Sequence, residues 1–299
     1  MLNSTKSPGE KRAALRARLA AGKTLVLPGA FNPLSAMLIE QKGFEGVYVS
    51  GAMLAADLGL PDVGLTTLGE VASRSQQIAR VTDLPVIVDA DTGFGEPMNV
   101  ARTLQSLEDA GVAGLHVEDQ VNPKRCGHLD GKAVVGLEDA TRRVRAARDA
   151  RRDPNFLIVA RTDARALEGL DATILRARAY VEAGADAIFP EALLSAEEFA
   201  AVRAAIDVPI LANMTEFGKG ESLSVRQLDD LGVDMVIFPV SLLRLAMGAA
   251  SRALDVLTAE GEFGSLLDEM QTREDLYELL DYESYAHFDQ SVFDFRLGD

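Results

Sequence analysis

Residues 84–93 read LPVIVDADTG, an aliphatic run that stops abruptly at two aspartates, a threonine and a glycine. A run that is apolar without alternation suits a strand buried on both faces, and such strands belong to parallel sheets covered by helices. The polar end belongs to the loop that follows. Seven other segments share this design: TLVLPGA (24–30), GVYVSG (46–51), GLHVEDQ (114–120), FLIVARTD (156–163), DAIFPE (186–191), VPILANMTE (208–216) and DMVIFPV (234–240). Helical patterns lie between them. VARTLQSLEDAG (100–111) and ILRARAYVEAGA (174–185) space their apolar residues three and four apart and end at glycine, a helix-stop signal. GLEDATRRVRAARDA (136–150) opens with acids and closes with arginines, the order the helix dipole favours.

Eight β-then-α units in about 250 residues match a closed α/β (β/α)8 TIM barrel better than an open doubly wound sheet, which usually has fewer strands. A helix expected at about 8–21 precedes the first strand and would cap the bottom of the barrel. No low-complexity linker divides the chain, so one domain spanning 1–299 is expected. After the eighth run come LLRLAMGAASRALDVLTAEG and FGSLLDEMQTREDLYELLDY. One of these helical stretches is surplus to a simple barrel and is a candidate for packing on a neighbouring subunit.

The formal net charge of −16 argues against nucleic acid or anionic lipid as a partner. It leaves room for an anionic substrate, because a pocket can oppose the global sign. A single cysteine excludes an intrachain disulfide and fits a reducing compartment. The N-terminal segment lacks a secretory pattern, and no run approaches the roughly 18 apolar residues of a membrane span. A cytoplasmic protein with no membrane partner is the expectation.

Polar residues collect where the strands end, which is where this fold places chemistry. Tyr48-Val49-Ser50-Gly51-Ala52 closes the second run, Asp89-Ala90-Asp91-Thr92-Gly93 the third and His116-Val117-Glu118-Asp119 the fourth. Arg161-Thr162-Asp163, Glu191 and Asn213-Met214-Thr215-Glu216 close the next three. Asp89, Asp91 and Glu118 suggest a hard divalent cation such as Mg²⁺, which takes oxygen ligands and keeps several waters. Asp89 and Asp91 are two apart on a strand and so share a face; a helix cap or a partner for Arg161 is the structural alternative. With three histidines and one cysteine available, zinc is a poor fit. Arg161 ends an apolar strand, where its guanidinium either clamps a substrate carboxylate or pairs with Asp163 or Glu191. Ser50-Gly51-Ala52 could offer backbone N–H groups to an anion.

Residues 119–136 are long for a βα connection, and long connections in barrels often act as lids. They carry VNPKRCGHLDGKAVV (121–135) with the one cysteine, Cys126. Lys124, Arg125 and His128 beside it would lower its thiol pKa and bring positive charge to a bound anion. A surface cysteine in a solubilising basic patch is the structural alternative.

Together YVSG (48–51), LGLPD (58–62), VDADTGFGEPMNVART (88–103), HVEDQVNPKRCGH (116–128), ARTDA (160–164), FPEA (189–192), LANMTEFG (211–218) and MQTREDLYELLDY (270–282) are familiar. The chain resembles the 2-methylisocitrate lyases of the isocitrate lyase and phosphoenolpyruvate mutase superfamily, over about Leu25 to Tyr285. KRCGH is the mark of the C–C lyase branch. The resemblance implies a barrel with a C-terminal helix exchanged between subunits, and a homotetramer of two swapped dimers. It implies Mg²⁺-dependent cleavage of the tricarboxylate (2S,3R)-2-methylisocitrate to pyruvate and succinate, in the methylcitrate cycle of propionate catabolism; Mn²⁺ is the other candidate metal. The implied metal position is Asp89, with Asp91 and Glu118 bridged by water. Pyruvate contacts fall on Ser50, Gly51, Ala52 and Arg161. The succinate half falls on Asn213, Thr215, Arg244, Gly127 and His128, with Glu191 beside it, and Asp62 matches a site position. Cys126 is the implied proton donor to succinate, and Tyr48 and Glu118 are both candidates for the base. Phe189, Ile237 and Pro239 fall where room for the substrate methyl is set. A related lyase acting on isocitrate or 2,3-dimethylmalate, or a non-catalytic dicarboxylate-binding barrel, is the alternative.

Overall fold

The computed structural model describes residues 4–127 and 131–294. These residues form eight parallel strands: β1 (Leu25–Pro28), β2 (Val47–Val49), β3 (Val86–Asp89), β4 (Gly114–Glu118), β5 (Leu157–Thr162), β6 (Ala187–Pro190), β7 (Leu211–Asn213) and β8 (Met235–Phe238). Each lies inside one of the eight apolar runs. β2 to β6 pair in order as one sheet, and β1, β8 and β7 pair as another. Single bridges from Gly29 to Tyr48 and from Ile188 to Ile210 join the two sheets into a ring. The expected (β/α)8 barrel is the observed fold.

The two-residue period of a strand sorts its side chains between two cores. Leu27, Tyr48, Ile87, Leu157, Val159, Phe189, Met235 and Ile237 cluster in the barrel interior. Val47, Val49, Val86, Val88, Leu115, Val117 and Ile158 belong to a second cluster shared with the surrounding helices. Followed towards the C-terminal ends, the inward file changes character. Two residues beyond Ile87 comes Asp89, and two beyond Val159 comes Arg161. The apolar stretch of each file fills the barrel, and its last member faces the loops.

The helix Pro8–Ala20 starts with a capping box in which Ser7 and Glu10 exchange side-chain and backbone hydrogen bonds. It places Leu15 and Leu19 in the interior cluster. Arg12 donates to the carbonyls of Val112 and Glu108, and Arg16 to those of Asn155 and Phe156. Apolar packing plus satisfied carbonyls close the bottom of the barrel, as expected from the helix preceding β1.

The helix Ser241–Glu260, which follows β8, behaves differently: none of its residues is buried. Leu245, Met247 and Leu254 are 70%, 58% and 61% exposed, far more than helices packed on a barrel allow. Beyond it, the helix Arg273–Leu279 returns to its own barrel, touches the helix Pro33–Gln41 and buries Leu279. Among the described residues, no helix is long and apolar enough to cross a membrane.

Candidate active site

A cavity of about 200 Å³ opens at the C-terminal ends of the strands. Tyr48, Ser50, Ala52, Asp62, Asp89, Lys124, Cys126, Gly127, Arg161, Phe189, Glu191, Asn213, Thr215, Ile237, Pro239 and Arg244 all line it. Gly51, Asp91 and Glu118 stand directly behind its wall, bonded or ion-paired to residues that line it. His128 lies outside the described residues. A larger open groove of about 750 Å³ runs behind Asp91 and Thr92, but Cys126, Arg161 and Glu191 do not line it. The reactive groups meet in the smaller cavity.

Asp89 ends β3 and accepts the N–H of Gly51 at 3.2 Å and that of Asp91 at 3.0 Å. Burial alone would raise its pKa, but His116, Lys124 and Arg161 outweigh burial and hold it at about 2. Glycine at 51 gives Asp89 room, because a Cβ there would stand a tight 3.0 Å from Asp89 Oδ2. The amide that the sequence offered to a substrate anion is therefore committed to this carboxylate. Ser50 caps the short helix that follows, accepting the Met53 N–H at 3.4 Å.

Asp91 turns out of the strand with φ +46°, a left-handed conformation that costs a non-glycine residue energy and is typical of functional loops. Burial and the neighbouring Asp89 push its carboxyl up to about 6. Lys124 lies 2.7 Å from Asp91 Oδ1 and 2.5 Å from Asp62 Oδ1. Burial disfavours the Lys124 ammonium, but Asp91, Asp89, Glu118 and Asp62 together drive its pKa up, so it stays charged. The sequence had put this lysine to work on the thiol. In the structure its Nζ instead joins the loop to two site aspartates.

Glu118, inward on β4, is pushed well above the usual carboxylate range by burial, with Arg161 opposing. Its Oε2 lies 3.3 Å from Arg161 Nε, while Oε1 is buried without a hydrogen-bond partner. Arg161 also donates to both oxygens of Asp163, at 2.9 and 3.1 Å, and its guanidinium lies 5.1 Å over the Phe189 ring. The internal pairing weighed for Arg161 is therefore present, and the guanidinium also lines the cavity. Asn213 donates to Glu191 at 3.3 Å, and Arg244 to Thr215 Oγ1 at 3.3 Å.

The sequence placed His116 at the end of the fourth run but gave it no role. Its Nε2 lies 2.7 Å from the Tyr48 hydroxyl and 3.6 Å from Asp89 Oδ1, and its ring stacks on Tyr48. Burial lowers its pKa to about 4 against the pull of Asp89, so the imidazole is neutral near pH 7. Burial, reinforced by Asp89, raises the Tyr48 pKa, so Tyr48 rests as a phenol. The signal was present: His116 shares the inward file of β4 with Glu118, two residues on. Lys132, bonded to Asp163 at 2.9 Å, was also missed, and no periodicity points to it.

The donor set can be tested against a divalent cation. Among the described residues, no three histidine, cysteine or carboxylate side chains converge tightly enough to chelate one directly. Asp89 is ionised and lines the cavity, and Glu118 Oε1 is an oxygen with no donor among the described residues. A hard cation held by one carboxylate directly, with others reached through its waters, fits this arrangement.

The family model described as phosphoenolpyruvate phosphomutase matches residues 15–258. The chain is 61% identical over 293 residues to probable 2-methylisocitrate lyase 2 of Corynebacterium glutamicum, covering 98% of this chain and 95% of that protein. It is 43% identical over 292 residues to the 2-methylisocitrate lyase of Bacillus subtilis, covering 98% and 96%. Among solved structures, a 2,3-dimethylmalate lyase of the same superfamily aligns with a TM-score of 0.89 at 35% identity, over 94% of this chain and 95% of that one. A phosphonopyruvate hydrolase in complex with oxalate and Mg²⁺ aligns at 0.85 and 29%, over 94% and 98%. With its barrel, its carboxylate-lined mouth and relatives matched nearly end to end, the chain belongs to the phosphoenolpyruvate phosphomutase family, among the 2-methylisocitrate lyases of the phosphoenolpyruvate mutase and isocitrate lyase superfamily.

Proposed function

We propose that the chain is a carbon–carbon lyase that cleaves (2S,3R)-2-methylisocitrate to pyruvate and succinate in the methylcitrate cycle. The observation that carries this reading is one cavity lined by Cys126, Asp89 and Arg161. Asp89 would hold Mg²⁺ or Mn²⁺ directly, with Asp91 and Glu118 reached through water. Bound there, the cation supplies the positive charge that stabilises the substrate alkoxide and the ketone formed from it. Arg161 clamps the pyruvate carboxylate, with Ser50, Gly51 and Ala52 shaping that end. Asn213, Thr215, Arg244 and Gly127 face the succinate half, and Glu191 orients Asn213.

Loss of the proton from the tertiary hydroxyl lets the C2–C3 bond break, and the electron pair stays on succinate as an aci-carboxylate. Tyr48 and Glu118 are the two candidate bases, and Tyr48, resting as a phenol, would first have to give up its own proton. Glu118 has an oxygen without a hydrogen-bond partner among the described residues, which suits a base. Cys126 then protonates the succinate carbon. Lys124 anchors the loop that carries it, through Asp62 and Asp91. Phe189, Ile237 and Pro239 set room for the methyl group, which is worth only ~1–3 kcal/mol, so slower isocitrate turnover accompanies the main reaction.

The bare face of the helix Ser241–Glu260 supports exchange of this helix between subunits and a homotetramer of two such dimers. The single cysteine supports a cytoplasmic setting. The test is release of the 2-oxo acid (pyruvate or glyoxylate) with Mg²⁺ from methylisocitrate, isocitrate and 2,3-dimethylmalate. The highest kcat/KM is expected on methylisocitrate; a preference for dimethylmalate would overturn the substrate assignment.

A further inference from the structure

We propose that Lys132 is a positioning residue whose buried ammonium holds the backbone at Gly127, and with it the Cys126 thiol, against Arg161 and Asp163 at the end of β5. The side chain of Lys132 is 2% exposed, and lysine is rarely buried without a partner. It has two partners here. Nζ donates to the carbonyl of Gly127, and it lies 2.9 Å from Asp163 Oδ1.

Asp163 is itself fixed. Its Oδ2 takes Arg161 Nε at 2.9 Å, and its backbone N–H donates to Asp119 Oδ1 at 2.9 Å. Asp119 in turn accepts the hydroxyls of Thr162 and Tyr180, each at 2.7 Å. The ammonium therefore joins a residue next to the thiol to a satisfied, buried network on the barrel wall, where such networks are rigid.

Gly127 explains why the hold comes from elsewhere in the chain. A Cβ at that position would stand 2.5 Å from Arg161 Nη2 and 2.5 Å from Glu191 Oε1. The main chain lies directly on these two groups, so the residue has no side chain with which to anchor itself. A lysine at 132 reaches in from the side with three donors on one point charge, enough for a carbonyl and a carboxylate together. The Lys132 ammonium bonds to Gly127 and Asp163 rather than to Tyr48, Glu118 or Asp89, and Arg161 stands between Asp163 and Glu118.

The proposal rests on the reading of Cys126 as proton donor, because a displaced donor is what slows turnover. Lys132→Met keeps length and removes the donors. We expect kcat to fall about 100-fold, the scale of a misplacement near 1 Å, with KM changed less than about threefold because Arg161 keeps Asp163. Cys126 is the single cysteine, so iodoacetamide reports on it alone. Its alkylation in the free enzyme should quicken about tenfold, the scale of one lost charge-assisted hydrogen bond. Alkylation requires no substrate, so its result stands even if the lyase reading fails. Lys132→Gln keeps a donor for the carbonyl without the charge. It should fall between wild type and Lys132→Met in both readouts, and it decides the matter if the methionine variant does not fold. Unchanged kcat, a rise in KM alone, or a fall in kcat with unchanged alkylation would each overturn the proposal.

Discussion

The arc β2–β6 and the arc β7–β8–β1 follow the same alternation of buried residues, yet they meet the substrate with different chemistry. On the first, Asp89 stands beside His116, Glu118 beside Arg161, and Arg161 beside Phe189. On the second, the matching level is Leu27, Ile237 and Asn213, and none of its three strands carries a charge. Charges removed from water are tolerated where opposite signs adjoin with good geometry, as Glu118 and Arg161 do across β4 and β5, while Asp89 sits within the field of Lys124 and Arg161. The charged arc can therefore stabilise an alkoxide and hold a cation. The neutral arc can only shape and recognise.

Substitutions on the two arcs should differ in kind as well as size. The largest loss is expected from Asp89→Asn, with kcat down by roughly 10³-fold, as for loss of a key electrostatic stabiliser. Titration calorimetry should show Mg²⁺ affinity reduced in parallel, and a variant that turns over normally would break the division between arcs. Gly127→Ala comes next, because its Cβ would meet Arg161 and Glu191. A fall of about 100-fold in kcat is expected while the fold, read by circular dichroism, is kept. On the neutral arc, Ile237→Val should alter the ratio of kcat/KM for methylisocitrate to that for isocitrate by about tenfold or less, with each reaction still running. If it abolished turnover, the neutral arc would be doing more than recognition. The smallest effect on the chemistry is expected from Leu254→Glu on the bare helix. It should lower the oligomeric state in light scattering before it changes the cavity.

Much of this was legible because strands buried on both faces read as continuous apolar runs. The eight runs located the strands, and the polar residues that close the second to the seventh marked the cavity. His116 was given no role because one histidine in an apolar strand is most often a satisfied core residue. Its bond to Tyr48 links positions 68 residues apart, which no local pattern encodes. The loop 119–136 was harder still. Irregular backbone has no period to aim a side chain, so Lys124 was assigned to the adjacent thiol when its partners are Asp62 and Asp91. Lys132 escaped for the same reason: its carboxylate partner, Asp163, is 31 residues away, just past the end of β5.

The central claim is that Cys126 delivers the proton that completes succinate, opposite the carboxylates of the charged arc. It is tested most directly by measuring pyruvate release from methylisocitrate together with pyruvate binding in Cys126→Ser. Turnover lower by at least about 100-fold, within the range for loss of a general acid, with pyruvate binding retained is the predicted result. Unchanged turnover would contradict it.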